Sequence, residues 1–260
     1  MRPIDEYPDG RRNSLPDVSW QDFNTKEHFV MQALFSFISA VLPALLLVRY
    51  FYKANPAPKR FIIKVFLLGV IYTLPVYILE VILAQYNMFP PWSFILYYFF
   101  EAFIVAGLCE EYIKLRIIKK YVYGSVFFRG ERDGIIFTVV ASMGFACMEN
   151  ILYVVNHSWN MALARGFTAV PMHAVCSGVM GYYVGRAKRS RILNRPEREE
   201  QRYINKGLWE AILIHGCYDF FLFLSPILGS VFAMFTIPLV LWYYLELKKR
   251  IKMIGPMSGV

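Results

Sequence analysis

Seven apolar stretches follow one another along the chain, separated by short polar or charged breaks. They cover about residues 29–52, 61–83, 92–108, 134–155, 161–185, 208–224 and 227–245. Most reach the roughly 20 residues that a helix needs to cross the hydrocarbon core of a bilayer. Pro56 and Pro58 end the first, Pro90-Pro91 precede the third, and Ser225-Pro226 separate the last two. Proline before or after an apolar run stops a helix there. Pro75 falls inside the second run and predicts a kink. The third run continues into the charged segment 110–120. A polar segment with Gly124 and Gly130 then covers 121–134, and a basic loop covers 186–206. The expected fold is all-α: a polytopic membrane bundle of about seven transmembrane helices. Its parts are a polar N-terminal tail at 1–27, one transmembrane domain at 28–247, and a basic C-terminal tail at 248–260.

Composition agrees with that pattern. Of the 260 residues, 57% are hydrophobic, 17% aromatic and only 18% charged. The mean hydropathy is +0.40. A soluble domain is usually less apolar. The net charge of +9 needs no nucleic acid as partner, because loops on the cytoplasmic side of membrane proteins are rich in Lys and Arg. The basic residues fall in alternate connections. Arg49, Lys53, Lys59, Arg60 and Lys64 flank the first, and Lys114 to Arg132 the third. The segment 186–206 carries eight, and Lys248 to Lys252 close the chain. The intervening connections at 85–92 and 225–226 carry none. This alternation places the N-terminus outside and the C-terminus in the cytoplasm of a cell membrane. No signal peptide precedes the first run, which is too long for the apolar core of one. The four cysteines all lie in spans, where a disulfide framework is not expected.

Ionisable residues inside such runs cost several kcal/mol in lipid, so they face a bundle interior and carry function. The chain has them on four successive spans. Glu110 and Lys114 are i,i+4 neighbours that can pair, with Glu111 beside them. Taken alone, this segment reads as an amphipathic helix end facing cytoplasmic water. Glu149 lies mid-run with no basic residue within a turn, so its partner must come from another helix. His173 alone would read as a satisfied core histidine. His215 and Asp219, four apart, share a helix face, so the carboxylate can hold the imidazole tautomer. His28 and His157 sit at boundaries and read as surface residues. Gly178, Gly181 and Gly185 read as a helix-packing face.

Two hydrolytic chemistries fit this set. In one, a carboxylate activates water and the histidines assist. In the other, histidines and carboxylates bind a divalent metal such as zinc, with Glu149, His173 and His215 as ligands. No His-Glu-x-x-His motif is present. A proton-coupled transporter is the rival from another class, since carboxylates and histidines across spans also form proton relays. A relative that keeps the fold but has lost activity is the third reading.

Four stretches in order resemble the PrsW family of intramembrane proteases. They are Glu110-Glu111-x-x-Lys114, then Gly144-Phe145-Ala146-x-x-Glu149-Asn150. Arg165, Pro171-x-His173 and the Gly178 to Lys188 segment follow, and then His215-Gly216-x-Tyr218-Asp219. They cover about residues 107–220. The family is related to the CAAX prenyl endopeptidases, which have His where this chain has Glu149. The resemblance implies a glutamate-dependent protease, without a required cofactor, that cuts membrane-anchored protein substrates. In the best-known bacterial case the substrate is an anti-sigma factor. Carried over, Glu110 or Glu111 activates water, and His173 and His215 assist. Glu149 and Asp219 position them, and Asn150, Lys114 and Arg165 support the site, Asn150 toward an oxyanion.

Overall fold

The computed structural model describes residues 20–53, 57–156 and 159–254, all helical or in short connections, with no strand among them. The helices are α1 (Trp20–Lys53), α2 (Lys59–Ala84), α3 (Phe94–Phe99), α4 (Cys109–Tyr121), α5 (Glu131–Asn156), α6 (Trp159–Ile192), α7 (Glu197–Leu228), α8 (Val231–Met234) and α9 (Thr236–Met253). A 3₁₀ turn at Pro91–Ser93 leads into α3, and a π-helical segment at Phe100–Leu108 joins α3 to α4 without a break. Residues 1–19 of the expected 1–27 tail, the segment 255–260 and His157 lie outside the described residues, as does the side chain of His28.

Helical segments cover all seven expected apolar stretches, with three shifted limits. α1 begins at Trp20, earlier than the apolar run, because helix-compatible residues precede it. Pro75 lies inside α2, which ends at Ala84, one residue past the expected limit. The basic segment 186–206 is not a loop. α6 runs on to Ile192 and α7 starts at Glu197, leaving 193–196 as the connection. Arg, Lys and Glu are good helix formers, and the chain turns only at Asn194, which has φ 52°, ahead of Pro196. Nor does Pro226 end α7. It has no N–H to offer Leu222, and the Ser225 hydroxyl donates to that carbonyl instead, at 2.7 Å. The break falls at Gly229, whose φ of 100° suits only glycine.

Among the described residues, Lys59–Ala84, Glu131–Tyr153, Glu197–Leu228 and Val231–Met253 are long and apolar enough to cross a membrane by length and composition. Their burial differs: 78% of the α5 window lies inside the protein, against 22% for α2 and 11% for the last span. α5 is therefore the central post, packed against α1, α2, α4 and α6. Without a hydrophobic drive between helices in lipid, close van der Waals packing must hold such a post. The crossing of α5 and α6 shows how. A Cβ on Gly134 would collide with the Gly181 carbonyl, and one on Gly185 with the backbone of Glu131. The glycines of α6 thus pack helices, as expected. Gly178 instead takes Leu247 of α9.

Basic ends gather on one face. The Lys188 ammonium donates to the Tyr123 carbonyl at 2.8 Å, Arg189 pairs with Glu131 at 2.9 Å, and Phe61 meets Phe127. The start of α2, the 122–130 connection and the end of α6 therefore lie together.

Candidate active site

α4 enters the bundle on the π-helical segment. Such segments are rare and concentrate at functional sites. Here the segment lies close against α7: a Cβ on Gly107 would stand 3.4 Å from the Ile212 carbonyl oxygen, and one on Gly216 would strike the Phe103 ring. Two glycines thus let the chain just before Glu110 approach α7 beside His215. Burial is nearly complete. Glu110 is 4% exposed, and Glu111 and Lys114 are 0% exposed. The segment is no solvated helix end.

Lys114 is held by both acids. Its ammonium donates to Glu110 Oε2 at 3.0 Å and to Glu111 Oε1 at 2.8 Å. It also lies 3.1 Å from His173 Nδ1 and 4.5 Å from the centre of the Phe145 ring. Glu149 receives the expected partners from another helix. Its Oε2 is 2.9 Å from His173 Nε2, and its Oε1 accepts from Arg165. Arg165 Nε donates to Asn150 Oδ1 at 2.9 Å, and Asn150 Nδ2 donates to the Ala40 carbonyl of α1 at 3.3 Å. Oδ1 and one Nδ2 hydrogen of Asn150 are therefore engaged, so it braces Arg165 against α1.

On α7, His215 lies between acids. Nδ1 is 2.9 Å from Glu111 Oε1 and Nε2 is 3.1 Å from Asp219 Oδ2. Only the imidazolium satisfies two carboxylates with two donated hydrogen bonds. The rings of His173 and His215 are 5.2 Å apart and nearly perpendicular. All six expected polar side chains and their three supports thus form one hydrogen-bonded cluster drawn from α4, α5, α6 and α7, buried except for Glu149, Arg165 and Asp219, which are partly exposed.

Oxygen or nitrogen atoms of Glu110, Glu111, His173 and His215 all lie within 4.8 Å of one another, a donor set that fits a divalent cation. Glu111 Oε2 is buried and makes no hydrogen bond, which leaves a ligand atom to spare. Glu149, also expected as a ligand, stands outside this group, with its two oxygens on His173 Nε2 and Arg165. The cysteines are free thiols, and none joins the group.

Three neighbours were given no role in the sequence reading. Tyr153 lies under Arg165, ring centre to guanidinium 3.8 Å. Phe145 lies under Lys114, and the Ser142 hydroxyl donates to the His173 carbonyl at 3.1 Å. With Glu149 they occupy positions 142, 145, 149 and 153 of α5, one face at helical spacing. That spacing, counted from Glu149, is the signal that would have found them.

A lipid-compatible helical bundle with a largely buried acid–imidazole–ammonium cluster fits a membrane-embedded hydrolase. Over residues 57–244 the chain matches the family described as PrsW family intramembrane metalloprotease. It is 33% identical to Protease PrsW of Halalkalibacterium halodurans over 214 residues, 81% of this chain and 94% of that protein. Against Protease PrsW of Geobacillus kaustophilus it is 33% identical over 218 residues, 81% and 89% of the two chains. With that of Bacillus subtilis it shares 29% over 215 residues, 81% and 93%. No solved structure matches the chain. The chain belongs to the PrsW family and is an intramembrane peptidase.

Proposed function

We propose that the chain hydrolyses peptide bonds of membrane-anchored proteins with water activated by Glu110. The carrying observation is the difference between two neighbouring acids. Glu111 is sealed off, with Oε1 engaged by Lys114 and His215. Glu110 keeps a little exposed surface, and among the described residues its Oε1 makes no hydrogen bond, with His215 Nε2 3.9 Å away. That oxygen is the one that can meet a water and take its proton. Lys114 holds the other Glu110 oxygen in place. His215, between Glu111 and Asp219, is set to protonate the leaving amine. His173, fixed by Glu149, lines the far side of the reacting centre.

The four donors also fit a divalent cation, as the family description implies. Glu110, Glu111, His173 and His215 would hold it. When bound it would polarise the scissile carbonyl and make a bound water acidic. The positions of Glu149, Arg165 and Asp219 serve either chemistry, because Glu149 and Asp219 each orient an imidazole and Arg165 holds Glu149. An anti-sigma-factor-like protein is the substrate class that the family resemblance suggests.

The shared basic face supports a cytoplasmic placement of the α2 start, the 122–130 connection and the C-terminus in the cell membrane, with the N-terminus outside. The test of the activity is cleavage of a panel of single-pass membrane proteins by the full chain and by Glu110→Ala, Glu111→Ala and His173→Ala. Wild-type cleavage by all three variants would end the proposal.

A further inference from the structure

A cavity of about 1010 Å³ runs along the outer flank of the bundle, on the face of α6 turned away from His173. Tyr50 and Phe51 of α1 form one wall, Leu241 and Tyr244 of α9 the other, and Pro171 and Val175 of α6 the floor. Its lining follows α9 from Thr236 to Lys252, about 24 Å at the helical rise. That length is most of the thickness of a bilayer's apolar core.

Two of the hydroxyls along it are already used. Tyr218 donates to Thr168 at 2.9 Å, and Thr236 donates to the Ala233 carbonyl at 2.6 Å. Its charge lies at one end only. Arg132 of α5 and Lys248 and Lys252 of α9 converge there. Among the described residues they make no hydrogen bond or ion pair. Their neighbours show the contrast: Lys249 and Arg250 both pair with Glu246. This is also the basic face of the bundle, where Arg189 meets Glu131.

We propose that this cavity binds a phospholipid with an anionic headgroup. The acyl chains fill the apolar length and the phosphate meets Arg132, Lys248 and Lys252. Basic pockets between transmembrane helices on the cytoplasmic side are suited to such headgroups. A substrate helix fits less well. Close helix docking needs small residues along the seam, and these walls are built from Tyr, Phe and Leu.

The experiment uses the full chain in a neutral detergent, titrated with phosphatidylglycerol or phosphatidylcholine and observed by native mass spectrometry. One phosphatidylglycerol is expected to be retained, in preference to phosphatidylcholine. Each lost cation should weaken it about fivefold, and Arg132→Gln/Lys248→Gln/Lys252→Gln about a hundredfold. Arg116→Gln/Lys119→Gln/Lys120→Gln, with the same loss of charge elsewhere, should retain the lipid. Val240→Trp should expel it by filling the cavity with all three cations intact. Equal retention of the two lipids, undiminished binding in the first triple variant, or undiminished binding in Val240→Trp overturns the proposal. So does displacement of the lipid by a synthetic apolar transmembrane peptide, which would assign the cavity to substrate.

Discussion

Lys114 Nζ lies 3.1 Å from Nδ1 of His173, and this contact fixes the state of the ring. An ammonium has no acceptor, so Nδ1 must accept and the ring proton sits on Nε2. From there it is donated to Glu149, 2.9 Å away. One lysine on α4 thereby sets the tautomer of a histidine on α6 and commits it to a carboxylate on α5.

Glu149→Gln tests that arrangement. The amide keeps the shape but offers Nε2–H a neutral acceptor and releases Arg165. Cleavage is expected to fall about 10- to 100-fold, with thermal unfolding in detergent shifted little compared with the loss of rate. A rate equal to wild type would remove Glu149 from the site.

Lys114→Met should be the most destabilising single change in the cluster. It leaves Glu110 and Glu111 buried beside each other without their cation, at a cost of about 3–5 kcal/mol. The double variant Lys114→Met/Glu111→Gln should recover part of it, because one unpaired charge is gone. Denaturation of the two variants side by side reads the coupling. Equal stability of the two proteins would contradict it.

The α5–α6 crossing makes a packing prediction. Gly181→Leu should abolish folding or activity, since its side chain meets the backbone of Gly134 and Ile135. Gly124→Ala, where nothing lies within 4 Å, should be silent. Yield and cleavage of the two variants check this.

Divalent cation binding, measured by calorimetry with Zn²⁺, should depend on the four converging donors. His173→Asn and His215→Asn are expected to remove it, and Glu149→Gln to weaken it about 10- to 100-fold through ring orientation alone. If Glu149→Gln removed binding as fully as His173→Asn, Glu149 would be a ligand.

Much of this was legible in the chain. Hydrophobic run lengths placed the helices, and the rarity of charge within them singled out Glu149, His173, His215 and Asp219. Helical spacing paired Glu110 with Lys114 and His215 with Asp219, as found at 3.0 Å and 3.1 Å. Contacts between helices were not legible. Arg165 could be named as a support but not as the partner of Glu149, because sixteen residues and a reversal of the chain separate them. The burial of Glu111 was hidden for the same reason: the sequence around it is that of a solvated helix end, and only the packing of the neighbouring helices excludes water. The extent of α6 and α7 past the apolar runs was missed because charged residues stop a membrane span without stopping a helix.

The most direct measurement compares single-turnover cleavage of a membrane-anchored substrate by wild type, Glu110→Gln and Glu110→Asp in the same vesicles. If Glu110 takes the proton from the attacking water, Glu110→Gln loses at least about 10² to 10⁴ in rate while still binding substrate, and Glu110→Asp keeps part of it. Cleavage by Glu110→Gln at the wild-type rate would contradict the account.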